Sequence, residues 1–161
     1  MSEKNISIYV HWPFCSSKCP YCDFNSHIKR DIDNNEWGIA LITELNYLFN
    51  KYLEKKESYS LKSIFFGGGT PSLMDPDIVK KIINESKKLF NQNTNDSIEI
   101  TMEANPGSIF KDKLKSFFDS GINRISIGVQ SFDRENLRFL GRDHSVYDAK
   151  KALELSRNIF K

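Results

Sequence analysis

The sequence has 161 residues, of which 39% are hydrophobic, 12% aromatic and 27% charged: enough apolar material for a packed core, and too much for a disordered chain. Its formal charge of +2 is spread along the chain, which argues against a nucleic-acid surface, and no apolar run approaches the roughly 18 residues of a membrane span. The opening Met1-Ser2-Glu3-Lys4-Asn5 has no apolar h-region, so no secretory signal is expected.

In chain order, Ile6 to His11 is β-branched and aromatic and predicts a strand. A loop rich in cysteine runs from there to about Lys29. From Asp31 to Tyr52 the residues Trp37, Leu41, Leu45, Leu48 and Tyr52 recur at helical spacing. Ser63-Ile64-Phe65-Phe66 predicts a second strand, running into Gly67-Gly68-Gly69. Asp75-Pro76 then reads as an N-cap with proline in the first turn, opening a helix that buries Ile78, Val79, Ile82, Ile83, Leu89 and Phe90. A third strand is expected from Ser97 to Glu103. Ser108 is expected to cap a helix carrying Phe110, Leu114, Phe117 and Phe118, closed by Gly121. Arg124 to Val129 predicts a fourth strand, followed by short and longer helices from Asp133 to Leu140 and from Val146 to the end.

The pattern is α/β, with about four β-α units joined by connections long enough for parallel crossovers. An open doubly wound sheet and a barrel both satisfy it. In either, ligands collect at the carboxyl ends of the strands, where the distinctive residues of this chain lie.

Cys15, Cys19 and Cys22 are the three cysteines of the chain and fall within eight positions. An odd, clustered set does not make a disulfide framework; it points to a metal and to the reducing cytoplasm. Three soft ligands suit an iron–sulfur cluster, in which three cysteines leave one iron of a [4Fe–4S] cube open, or zinc with a fourth ligand from His11, Asp23 or His27. Gly67-Gly68-Gly69-Thr70-Pro71 lets a ligand approach the backbone closely, yet matches neither a P-loop nor a dinucleotide fingerprint. Glu103 suits a cationic amine or a ribose hydroxyl, and Gln130 and Arg142 suit polar and carboxylate groups; each can equally be a surface residue.

The segment Tyr9 to Phe24, with its Cys-x3-Cys-x2-Cys spacing, resembles the cluster loop of the radical S-adenosylmethionine (SAM) superfamily. Together with Phe66 to Ser72, Met102 to Gly107 and Gly121 to Phe132, it is similar to the group of oxygen-independent coproporphyrinogen III oxidases and heme chaperones. The resemblance implies a partial (βα) barrel. Cys15, Cys19 and Cys22 would hold a [4Fe–4S] cluster whose open iron chelates SAM. Reduction by an electron donor would then cleave the sulfonium to methionine and a 5′-deoxyadenosyl radical. Tyr9, Tyr21, Gly68, Gly69, Thr70, Glu103, Gln130 and Arg142 match SAM-contacting positions of that group. Where the oxidases carry a further cysteine, this chain has Phe24, which resembles the chaperone branch. That branch implies heme and a heme-accepting protein as partners. The alternatives are coproporphyrinogen oxidation and a non-enzymatic remnant. Because the group is more than twice as long, residues 1–161 are expected to form the N-terminal part of a core domain, a truncated piece lacking the rest of its barrel.

Overall fold

The computed structural model describes residues 4–29, 31–53, 59–91 and 98–160. Strand β1 (Lys4–Trp12) pairs in parallel with β4 (Tyr59–Gly68), β4 with β5 (Glu99–Ala104), and β5 with β6 (Arg124–Ile127). Between β1 and β4, the two-residue strands β2 (Phe14–Cys15) and β3 (His27–Ile28) make a small parallel pair. The order β1-β4-β5-β6 follows the chain without reversal. A doubly wound sheet reverses at a switch point, so this one is an arc of barrel.

Helices α1 (Asn34–Tyr52), α2 (Pro76–Leu89) and α3 (Lys111–Asp119) pack each on the next, and α5 (Val146–Ile159) lies against α3; α4 (Arg134–Phe139) is short. The inner faces of α1, α2 and α3 meet Val10, Trp12, Ile64, Phe66, Ile100 and Met102 of the strands in the main apolar core, and Ala152 of α5 joins Leu114, Ala104 and Ile109 in a second cluster. The chain reaches such close packing with Gly38, where a Cβ would stand 2.6 Å from Ile78 Cδ1. Phe66, in mid-sheet, is fully buried. Phe66→Ala is expected to cost about 3–5 kcal/mol in urea unfolding, and a loss under about 1 kcal/mol would contradict this packing.

Several boundaries differ from the sequence expectation, for physical reasons. The long parallel register from Lys4↔Tyr59 to Trp12↔Gly68 draws both strands out beyond their β-branched centres, so Gly67 and Gly68 belong to β4. Ser97 and Lys161 lie outside the described residues; the third strand runs on to Ala104. The fourth ends at Ile127, because Val129 N–H turns back to Ile127 O at 2.9 Å and Gln130 takes a φ of 64°. Helix α1 starts at Asn34, where the Asp33 carboxylate accepts the Glu36 N–H at 3.0 Å, and Leu48 and Tyr52 are exposed.

Ser108 does not cap α3. It belongs to a 3₁₀ turn, Pro106–Ser108, capped by Asn105, and α3 begins after Phe110 without a side-chain cap. Phe110 and Phe118 are exposed, leaving Leu114 and Phe117 as the buried face. The expected cap Asp75 is present; Asp133 also caps α4, and Ser145 caps α5 in a capping box with Asp148.

Candidate functional site

Parallel strands deliver their exit turns to one rim, and here those turns enclose a cavity of about 360 Å³. The cysteine loop brings Cys15, Cys19, Tyr21 and Cys22 to it. The β4 turn brings Gly68, Gly69 and Thr70, the end of β5 brings Glu103, and the segment after β6 brings Gln130 and Arg142. Ten of the eleven residues singled out by sequence therefore line one space. Tyr9 is the exception: it stands on the open face of the sheet, its hydroxyl 3.0 Å from His11 Nδ1 and its ring stacked on Phe65 at 6.2 Å. Gly67 separates it from Glu103, since a Cβ there would lie 2.8 Å from the Tyr9 ring and 3.2 Å from Glu103 Oε2.

The glycine turn is built for close approach. Gly69 donates its N–H to Trp12 O at 2.7 Å and Thr70 donates to Phe14 O at 2.8 Å, which ties the turn to the start of the cysteine loop. Gly68 sits at a φ of 114°, the left-handed side that favours glycine, and its N–H donates to Glu103 Oε2 at 3.3 Å.

Burial holds the Glu103 carboxyl above its ordinary value of 4.5, and the Gly68 N–H opposes this only in part. A carboxyl whose pKa rises on folding stabilises the fold below the unfolded value. That contribution is lost as pH climbs through the raised value. Glu103→Gln is therefore expected to gain stability relative to the parent as pH rises from 4.5 upward, read as the difference between two urea-midpoint profiles. A difference that stays flat across that range would contradict a raised carboxyl.

Arg142 reaches across the cavity: Nη1 donates to Cys19 Sγ at 3.2 Å and to the Tyr21 hydroxyl at 3.4 Å, and Nη2 donates to Gly128 O at 3.0 Å. Burial works against the guanidinium charge, but the contacts with Cys19 and Tyr21 outweigh it and hold the pKa above its ordinary value. Sequence reasoning passed over the neighbouring Asp143, whose carboxylate accepts from Ser16, Ser17 and Asn105. Burial would raise its pKa, yet the bonds from Asn105 and Ser17, with the Arg142 charge, bring it below the ordinary value. It also passed over Ser26, a buried lining residue.

The donor set is three soft thiols, the ligand type that iron–sulfur clusters and zinc both take. The cysteines are free thiols of one loop. Among the described residues, no three His, Cys, Asp or Glu side chains converge as one ion requires. A single zinc gathers its ligands at about 2.0–2.3 Å, whereas a cube engages each cysteine through a different iron and spaces them farther apart. His11, a candidate fourth zinc ligand, has both ring nitrogens engaged, by Tyr9 and by Asn25 O at 2.9 Å. Within the cavity wall, Ser26 Oγ and Arg142 Nε are buried without a hydrogen-bond partner, two polar atoms suited to a ligand.

The barrel arc thus carries three thiols and a glycine turn on its carboxyl rim, around one small-molecule-sized pocket. The chain belongs to the radical SAM superfamily, whose family profile matches residues 9–161. It is 41% identical over 153 residues to the heme chaperone HemW of Haemophilus influenzae, covering 94% of this chain and 39% of that protein. It is 40% identical to the mitochondrial radical S-adenosyl methionine domain-containing protein 1 of Danio rerio, covering 95% of this chain and 33% of the relative. The chain thus spans about two-fifths or less of these relatives. Among solved structures it is similar to the coproporphyrinogen III oxidase (HemN) of Escherichia coli, described as a radical SAM enzyme. There the TM-score is 0.74 at 25% identity, over 99% of this chain and 36% of that one. No helix among the described residues is long and apolar enough to cross a membrane.

Proposed function

We propose that this chain is the [4Fe–4S]- and SAM-binding part of a radical SAM protein of the heme-chaperone type, working in the cytoplasm. The observation that carries the proposal is the single cavity shared by Cys15, Cys19, Cys22, Gly68, Gly69, Glu103, Gln130 and Arg142. In this reading residues 1–161 are the N-terminal part of the core domain. The three thiolates hold three irons. Glu103, as the carboxylate, accepts from a ligand ammonium, while Gln130 and Arg142 bind polar and carboxylate groups. Gly68 and Gly69 keep their stretch of wall bare, so a ligand lies against backbone. Tyr21 and Phe24 shield the mouth and keep water from a reactive species. When bound, the cluster and SAM supply one-electron cleavage of a sulfonium, with electrons from a separate donor.

The chaperone type is favoured by Phe24, which lines the cavity at the position of the oxidases' additional cysteine, and by the identity to heme chaperones. It implies heme and a heme-accepting protein as partners. The likeness to coproporphyrinogen III oxidase supports a second reading, oxidative decarboxylation of coproporphyrinogen III. Anaerobic incubation of the reconstituted protein with coproporphyrinogen III, SAM and a reductant distinguishes the two. No decarboxylated porphyrinogen is expected, and its formation above the level of a cysteine-free control would overturn the chaperone reading.

A further inference from the structure

We infer that Asp143 is a positioning residue whose carboxylate clasps the cysteine loop to the end of β5, and so sets where Cys19 and Cys22 stand. Its consequence for a cluster rests on the reading of Cys15, Cys19 and Cys22 as ligands; the clasp itself belongs to the metal-free fold.

The two carboxylate oxygens serve different parts of the rim. Oδ2 accepts the hydroxyls of Ser16 at 3.3 Å and Ser17 at 3.2 Å, while Oδ1 accepts Asn105 Nδ2–H at 2.9 Å. Asn105 is itself held. Its Oδ1 accepts Gly107 N–H at 3.0 Å, and its own N–H donates to Ser72 Oγ at 3.3 Å, a fully buried hydroxyl of the β4 turn. Asp143 therefore couples the cysteine loop to an anchored network spanning the exits of β4 and β5. The loop has need of such an anchor. Its backbone hydrogen bonds, Cys22 N–H to Cys19 O at 3.0 Å and His27 N–H to Pro13 O at 2.7 Å, hold neither Ser16 nor Ser17. Those serines are the first residues after Cys15, which is buried in β2, on the way to the part-exposed Cys19 and Cys22. Arg142, one residue before Asp143, grips the same loop at Cys19 Sγ. Two consecutive residues of the α4–α5 connection thus hold the loop at two points, one through a thiol and one through hydroxyls. The Asn105 bond is of full hydrogen-bond length to a charged acceptor, and the two longer serine contacts act together on the same carboxylate.

The clasp is tested on the metal-free chain by mass-spectrometric rates of iodoacetamide labelling at each cysteine. Asp143→Ala is expected to speed labelling of Cys19 and Cys22 about fivefold, as more frequent local opening would do. The double variant Ser16→Ala/Ser17→Ala, which changes exposed loop residues and spares the fold, is expected to give the same acceleration. Adding both serine changes to Asp143→Ala should then add nothing, because all act through one set of bonds. Asp143→Asn, which keeps an accepting oxygen, should restore most of the slow rate. Parent-like rates in the serine double variant, fully additive effects, or equal acceleration of all three cysteines together with a lowered Tm would overturn the clasp. In protein reconstituted with iron and sulfide, the clasp variants should lose iron to a chelator about fivefold faster. Accelerated labelling in a chain that never takes up iron would uphold the clasp and defeat the cluster reading. Stable iron with unchanged labelling would do the reverse.

Discussion

Replacing Cys15, Cys19 and Cys22 by serine is expected to take the anaerobically reconstituted protein from about four irons per chain to none and to leave it colourless. The size of the effect follows from ligand chemistry. Thiolate is soft and is ionised readily by a metal, whereas a serine hydroxyl is hard and stays protonated near neutral pH. No other cysteine exists to substitute. The loss should be specific, because Cys19 and Cys22 are only partly buried on the rim, and Cys15, though buried, lies outside the Trp12–Phe66–Met102 core. Far-UV circular dichroism is expected to match the parent. Iron retained by the triple variant, or zinc recovered from the parent in place of iron, contradicts the assignment.

Gly69→Ala is expected to lower iron loading by roughly an order of magnitude, within the range of about 10–100-fold that disturbing the surroundings of metal ligands typically costs. An added Cβ would stand 2.7 Å from Phe14 O and 2.9 Å from Cys15 Sγ. Neither neighbour yields easily. Phe14 O accepts the Thr70 N–H at 2.8 Å, the Gly69 N–H is held by Trp12 O at 2.7 Å, and Phe14 and Cys15 form β2. The turn must separate from the cysteine loop, at a cost of about 1–3 kcal/mol typical of overpacking. Gly107→Ala is the control, for its Cβ would find its nearest neighbours at 3.7 Å, an ordinary contact. Its stability should lie within about 0.5 kcal/mol of the parent. Iron content in Gly69→Ala equal to that in Gly107→Ala would refute the tight turn.

The cavity was largely legible in the sequence because a parallel sheet converts chain position into place. Each distinctive segment follows a strand, and every strand exit lands on one rim. The helix start at Asp75 was legible because capping is a local bond, here between residues two apart. Strand lengths were less so: how far β1 and β4 extend depends on pairing with each other, over a separation that no local pattern records. Ser108 misled for a related reason, because its hydroxyl goes to Asn105 O and Ser72 Oγ within a turn that forms before α3 starts. Asp143 left no signature at all, since its partners lie 127, 126 and 38 positions away and are unremarkable serines and an asparagine. Tyr9 was singled out by resemblance alone, and its place could not be read from its own segment. Alternation assigns a face of the sheet, but which groove on that face receives the side chain depends on neighbours such as Gly67 and His11.

The most direct measurement is electron paramagnetic resonance of the dithionite-reduced, reconstituted protein, recorded before and after addition of SAM. If Cys15, Cys19 and Cys22 hold a cluster in the cavity that Glu103 and Arg142 also line, the expected result is a [4Fe–4S]⁺ signal whose g-values shift on addition of SAM and do not shift with adenosine. A signal identical with and without SAM would mean that the cavity does not bring that molecule to the cluster, and would contradict the proposed function at its root.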